Sequence, residues 1–240
     1  MGKKLTRVQY RRKKKLKRLL VLSSLILVFV TGVCLLGGGI SKILKKGVFQ
    51  AKSKPTLKMV EGFYESLNIE ERLLTPNEYS RPEIPLSEVN GVVIHYTANP
   101  GTDAEANRNY FEGLKEGKTY SNGKYIYTSS NYIIGLKGNI VQCIPLDEVA
   151  YASNGRNEDT ISIEVCHPDE TGKFSEKSYK SLVKLTAWIC SEYNLKKEDI
   201  IRHYDVTGKN CPKYYVENEE EWEQFRDDVF ELIEENAKDK

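Results

Sequence analysis

The longest apolar stretch covers residues 19–40, 22 positions without a charged side chain. At about 1.5 Å per helical residue it reaches roughly 33 Å, enough to cross a hydrocarbon core of about 30 Å, and it predicts one N-terminal transmembrane helix. Residues 1–18 ahead of it form a basic arm. Residues 41–78 are Lys-rich and then mixed, with a short helix expected near 60–73, and they read as a stalk or lead-in. From Tyr79 onward the pattern changes to short β-branched and apolar runs bounded by turn residues, which predict strands at 92–97, 131–136, 140–144, 160–166 and 200–203. Gly138-Asn139 joins the second and third of these as a hairpin. Helical signals lie between them. Thr102 with Glu105 reads as a capping box ahead of Ala106, Tyr110 and Leu114, and Asn218 with Glu221 as another ahead of Trp222, Phe225, Val229 and Leu232. A third helix is predicted over 176–193, where Leu182, Leu185 and Ile189 recur at helical spacing with Trp188 beside them, a core-facing stripe. Residues 79–240 therefore read as one α/β domain with a mixed central β-sheet flanked by helices, long enough to bury its own core.

Charge separates the same regions. The formal net charge of +2 is the sum of residues 1–60, with 16 Lys and Arg and no acid, and residues 61–240, with 20 basic side chains against 34 acidic. A strongly acidic body repels phosphate backbones, which argues against nucleic acid as a partner. Ten of the basic residues lie in positions 1–18 and only six follow the apolar segment closely, so the positive-inside bias keeps the N-terminus cytoplasmic and places the domain outside the membrane. Gly37 and Gly39 also offer small residues to a signal peptidase, in which case the domain is secreted. The long basic region, the length of the segment and the lack of Ala before Ala51 favour an anchor. Cys34 follows Val33 rather than a small residue, which argues against lipidation.

The chain has three histidines, and His95 and His203 each sit at a predicted strand end, where side chains face clefts. Cys211 follows His203 by eight residues in the loop Gly208-Lys209-Asn210-Cys211-Pro212. Two neutral imidazoles and a thiolate suit Zn2+ and leave a fourth position for water. Spacing alone leaves satisfied structural histidines open, because His95 lies 108 residues from His203. His167 is expected to have a structural or cleft-wall role, since a fourth protein ligand would close the site to water. Cys143, Cys166 and Cys190 are expected as free buried thiols, with one pair among them left open.

Five blocks carry a resemblance. They are His95 leading into Thr97-Ala98-Asn99-Pro100, Asn131-Tyr132-Ile133-Ile134-Gly135, Val141-Gln142-Cys143-Ile144-Pro145, Thr160-Ile161-Ser162-Ile163-Glu164, and His203-Tyr204-Asp205-Val206-Thr207 running on through Cys211-Pro212. In this order, residues 79–215 resemble the zinc-dependent N-acetylmuramoyl-L-alanine amidases, the family of phage lysozyme-type amidases, autolysins and peptidoglycan-recognition proteins. The resemblance implies the amidase/peptidoglycan-recognition fold, His95, His203 and Cys211 as zinc ligands, and catalytic roles for Glu164 and Lys209. It also implies a hydrolase acting on peptidoglycan at the bond between N-acetylmuramic acid and L-alanine; a monomer is expected, with the oligomeric state left open by the sequence. Glu164 makes sense as the base on its own terms, because an unpaired carboxylate in an otherwise apolar or small-residue strand is costly unless something beside it needs one. Some relatives have Tyr where Ser130 stands and His where Asn131 stands, so the base assignment rests on Glu164. Cys211 is retained, which favours an enzyme over a non-cutting wall-binding module. A zinc endopeptidase acting within the stem peptide is the other alternative.

Overall fold

The computed structural model describes residues 58–238. The basic arm, the predicted transmembrane segment at 19–40 and residues 41–57 of the lead-in lie outside the described residues. Among the described residues no helix is long and apolar enough to cross a membrane.

Six strands form the central sheet: β2 (Glu70–Glu71), β3 (Val92–Tyr96), β4 (Tyr132–Ile134), β5 (Ile140–Gln142), β6 (Ile161–Val165) and β7 (Ile200–Arg202), in the spatial order β2-β5-β4-β6-β3-β7. Only the β4–β5 pair is antiparallel, so the sheet is mixed, as the predicted hairpin requires. Its turn centres on Leu136-Lys137, with Gly138 in the left-handed conformation at φ 81°. A separate antiparallel pair joins β1 (Lys58–Met59) to β8 (Ala237–Lys238). The helices are α1 (Phe63–Ser66), α2 (Ala104–Glu112), α3 (Glu176–Tyr193), α4 (His203–Thr207), α5 (Lys213–Glu217) and α6 (Glu219–Asn236).

Side chains on a strand alternate between faces, and the sheet is covered on both. Tyr132 and Ile134 of β4 join Val92, Ile94, Ile161 and Ile163 in a core with Leu182, Leu185 and Ile189 of α3 and Trp222, Phe225, Val229 and Ile233 of α6. Ile133 faces the other way, into a smaller core with Val141, Ile144 and Phe111 of α2. The five predicted strands and the 176–193 helix all form, with strand ends shorter by one to three residues.

Three expectations are corrected. The lead-in does not end at Tyr79: from Lys58 onward it is part of the folded body. Glu70–Glu71 adds an edge strand to β5, the Leu74 amide donates to the Cys143 carbonyl (2.9 Å), and the Leu74 side chain is buried. A two-residue edge strand of exposed glutamates carries no apolar alternation to read, although charge is a usual feature of sheet edges. The 60–73 helix is reduced to the four residues of α1. Neither capping box forms. Asp103 Oδ1 caps α2 by accepting from the Ala106 amide (2.9 Å), while the Thr102 hydroxyl donates to the Asn99 carbonyl instead. The Asn218 amide group donates to the Tyr214 carbonyl, because α5 runs directly into α6.

The lead-in is fastened to α2 by Glu112, which accepts from the Thr75 amide (3.1 Å) and hydroxyl (2.6 Å) and pairs with Arg108 and Lys115. Burial alone would raise this carboxyl's pKa, but the Thr75 hydrogen bonds and the two cations outweigh it and bring it to about 2. A depressed carboxyl contributes stability above its unfolded pKa near 4.5 and loses it as pH falls toward 2. Glu112→Gln should therefore destabilise the fold by about 1–2 kcal/mol at pH 7, after allowing for solvent screening. Unfolding midpoints of the two proteins should converge as pH drops from 7 to 3; a gap that stays constant with pH contradicts the assignment.

Candidate metal centre

Parallel register builds the site. His95 on β3 lies opposite Glu164 on β6, and Ile94 lies opposite Arg202 on β7, so one further step along the sheet sets His203, the first residue of α4, next to His95. Val92 and Ile94 point to the α3 face, so His95 points to the α2 face together with Glu164, whose register partner on β4 is Ile133. The two imidazole centroids are 4.6 Å apart. Helix α4 ends at Gly208 in the left-handed conformation (φ 76°), and the Tyr204 amide donates to the Cys211 carbonyl (2.9 Å), which folds the loop back over the strand ends. Cys211 Sγ thereby comes 3.9 Å from His95 Nδ1. One ligand atom each from His95, His203 and Cys211 fall within 4.8 Å of one another, and all three residues are buried.

The donor set fits a zinc ion on grounds internal to the molecule. His203 Nδ1 is buried without a hydrogen-bond partner. Burial, then the charge His203 would carry and that of Lys209, push His95 well below the usual imidazole pKa, and burial with Lys209 lowers His203, which favours neutral rings that offer a lone pair. Burial first and the Glu164 charge second push the Cys211 thiol up to about 12. A divalent cation between these atoms reverses that last trend, since a coordinating thiol is deprotonated by the charge it binds. Two nitrogens and one sulfur are a zinc ligand set that leaves one position open.

Glu164 Oε1 lies 3.9 Å from His95 Nδ1, within ion-pair distance, and Oε2 is buried without a partner. Burial raises the Glu164 carboxyl to about 8 against the opposing pull of Lys209. Lys209 itself is exposed on the returning loop. His167 stands apart from the metal group: its Nδ1 meets the Asp169 carbonyl (2.7 Å) and its ring packs on Tyr96. The Ser130 hydroxyl is spent on the Tyr132 and Ser162 carbonyls, and Asn131 Oδ1 accepts from the Ser162 amide, so both residues clip strands together. Cys143, Cys166, Cys190 and Cys211 are all free and buried. Sequence reasoning missed Ser153 and Asn154, whose side-chain oxygens reach His95 Nε2 (3.3 Å) and His203 Nε2 (3.0 Å). The only sequence signal there is the turn dipeptide Asn154-Gly155.

A mixed sheet with two histidines at its strand ends and a loop cysteine beside them defines a class of α/β domain with a candidate metal site, and residues 85–214, more than half of the chain, match the model of the N-acetylmuramoyl-L-alanine amidase family. The chain belongs to that family. The N-acetylmuramoyl-L-alanine amidase CwlL of Bacillus licheniformis is 33% identical over 169 residues, covering 65% of this chain and 45% of that protein. The N-acetylmuramoyl-L-alanine amidase BlyA of Bacillus subtilis (strain 168) is 31% identical over 174 residues, 64% of this chain and 44% of that protein. The chain thus spans under half the length of these curated relatives. Among solved structures, the fold is shared with the catalytic domain of XlyA, at TM-score 0.55 and 24% identity over 68% of this chain and 99% of that one. It is also shared with the PlyG catalytic domain, at TM-score 0.55 and 23% identity over 68% and 93%.

Because a ligand that binds only the folded state stabilises it by mass action, zinc should stabilise metal-stripped protein by about 2.7 kcal/mol when free metal is a hundredfold above its Kd, and so raise its unfolding midpoint. Cys211→Ser should lose most of that gain. An unfolding midpoint indifferent to zinc and chelator contradicts a metal centre.

Proposed function

We propose that this protein is a zinc-dependent peptidoglycan hydrolase that cleaves the amide joining N-acetylmuramic acid to the L-alanine of the stem peptide. The observation that carries the reading is the convergence of His95, His203 and Cys211 beside Glu164, whose Oε2 is buried without a partner, in a chain of this family. When bound by the three ligands, zinc supplies Lewis acidity and lowers the pKa of a coordinated water toward about 7. Glu164 then takes the proton of the attacking water. Its burial, which lifts the carboxyl to about 8 without a cation nearby, keeps the proton available to be handed to the departing alanine nitrogen. A nearby positive charge lowers the same pKa and favours the carboxylate that accepts a proton, so burial and a bound cation pull Glu164 in opposite directions. Lys209 contributes positive charge to the carbonyl oxygen as the amide carbon becomes tetrahedral.

In this reading residues 19–40 anchor a monomer in the cytoplasmic membrane, with the basic arm inside and the hydrolase outside, where its substrate lies. The anchor would restrict cutting to nearby wall.

Full-length protein with zinc, incubated with purified cell wall, should release stem peptides beginning with a free alanine amine and leave glycan with intact lactyl groups, as read by mass spectrometry. Glu164→Ala should lower kcat by about 10²–10⁴, and chelation should abolish turnover. Fragments cut within the stem peptide would make the enzyme an endopeptidase, and the absence of any fragment would leave a wall-binding module.

A further inference from the structure

We propose that Ser153 and Asn154 are positioning residues for the metal-binding histidines: together they occupy the Nε2 side of both rings, so that both Nδ1 atoms are left to the metal. The inference deepens the zinc-hydrolase reading and rests on it.

A neutral imidazole carries one N–H and one lone pair, and the partner of one nitrogen decides which atom has which. Asn154 offers His203 Nε2 its Oδ1 at 3.0 Å. A carbonyl oxygen only accepts, so Nε2 carries the hydrogen and Nδ1 the lone pair. That Nδ1 is the buried atom without a partner. His95 is divided alike in space, although a hydroxyl both donates and accepts, so Ser153 occupies Nε2 without by itself choosing the tautomer. Ser153 Oγ stands 3.3 Å from Nε2, while Nδ1 faces Cys211 Sγ and Glu164 Oε1 at 3.9 Å each. Two consecutive residues thus serve two rings that come from different strand ends.

The loop does not depend on these two side chains for its shape. Asn157 Oδ1 accepts from the Ala152 and Ser153 amides, the Arg156 amide donates to the Ser153 carbonyl, Arg156 pairs with Asp159, and the Thr160 hydroxyl donates to the Arg156 carbonyl. The oxygens of Ser153 and Asn154 are free to act on the rings. Asn154 is also left-handed, with φ 50°. Gly and Asn adopt that conformation most readily, and of the two only Asn supplies an acceptor.

These facts select the variants. Asn154→Gly keeps the backbone conformation and removes the acceptor, Asn154→Asp keeps an acceptor, and Ser153→Ala removes the hydroxyl without touching the backbone. Zinc affinity of the full-length proteins is measured by competition with a chromophoric chelator, alongside the unfolding midpoint of each metal-free protein and the nitrogen shifts of its histidines. Asn154→Gly and Ser153→Ala should each weaken zinc binding by about 10–100-fold, the usual cost of losing a partner to a ligating histidine. Asn154→Asp should restore most of the loss. In metal-free protein His203 should be the Nε2–H tautomer, and should become a mixture in Asn154→Gly. Should Asn154→Gly fail to fold, Ser153→Ala decides. Variants that bind zinc as tightly as the parent, or an Asp variant no better than Gly, overturn the clamp while leaving a zinc-binding, wall-cutting parent intact. A parent that binds no zinc overturns the function and the clamp together.

Discussion

The register of three neighbouring parallel strands underlies all the chemistry. With His95 opposite Glu164 and Ile94 opposite Arg202, strands β6, β3 and β7 finish at one level and on one face. Alternation is strict on a strand, so slipping β3 by one residue would bury His95 among Ile163, Leu182 and Leu185 and send Ile94 to the place of the ligand. The apolar residues that flank His95 and Glu164 therefore do more than fill the core. Val92, Ile94, Ile161, Ile163 and Val165 all face α3 and α6, and their burial holds the polar residues between them on the opposite side.

That arrangement has an electrostatic cost, and its sign is the one a bound cation would offset. Two imidazoles kept neutral, a thiol raised to about 12 and a carboxyl raised to about 8 all share burial as their largest cause. Each of these groups prefers its uncharged form only because the charge it could carry is poorly solvated there. A divalent cation held there would act on all of them in a consistent direction: it would use the two lone pairs, favour the thiolate and favour the carboxylate. The exposed Lys209 is a weaker source of the same positive field, lowering His95, His203, Glu164 and Cys211 alike.

Much of this was legible in the sequence because strong periodicity and burial coincide. The run Val92-Val93-Ile94 is buried throughout, and α3 spans Glu176–Tyr193 as its apolar spacing predicts. The three metal-site residues could be singled out from strand-end histidines and a loop cysteine, with motif resemblance to link them. What could not be read is short or relational. Strand β2 is two exposed glutamates held by backbone hydrogen bonds to β5, and residues before Tyr79 looked like a lead-in for that reason. Asp103 displaced Thr102 as the helix cap because the Thr102 hydroxyl had a nearer carbonyl at Asn99. Ser153 and Asn154 lie 58 and 49 positions from the histidines they touch, and nothing local marks a residue whose role depends on a partner that far away.

The central claim is the proposal that two imidazoles and one thiolate of this chain hold a single zinc ion. Zinc-edge X-ray absorption on the metal-loaded protein tests it most directly. The account predicts one zinc per chain with one sulfur at about 2.3 Å and two imidazole nitrogens at about 2.0–2.1 Å, the remaining position being filled by a light atom. A first shell without sulfur, or one closed by four protein ligands, would contradict it.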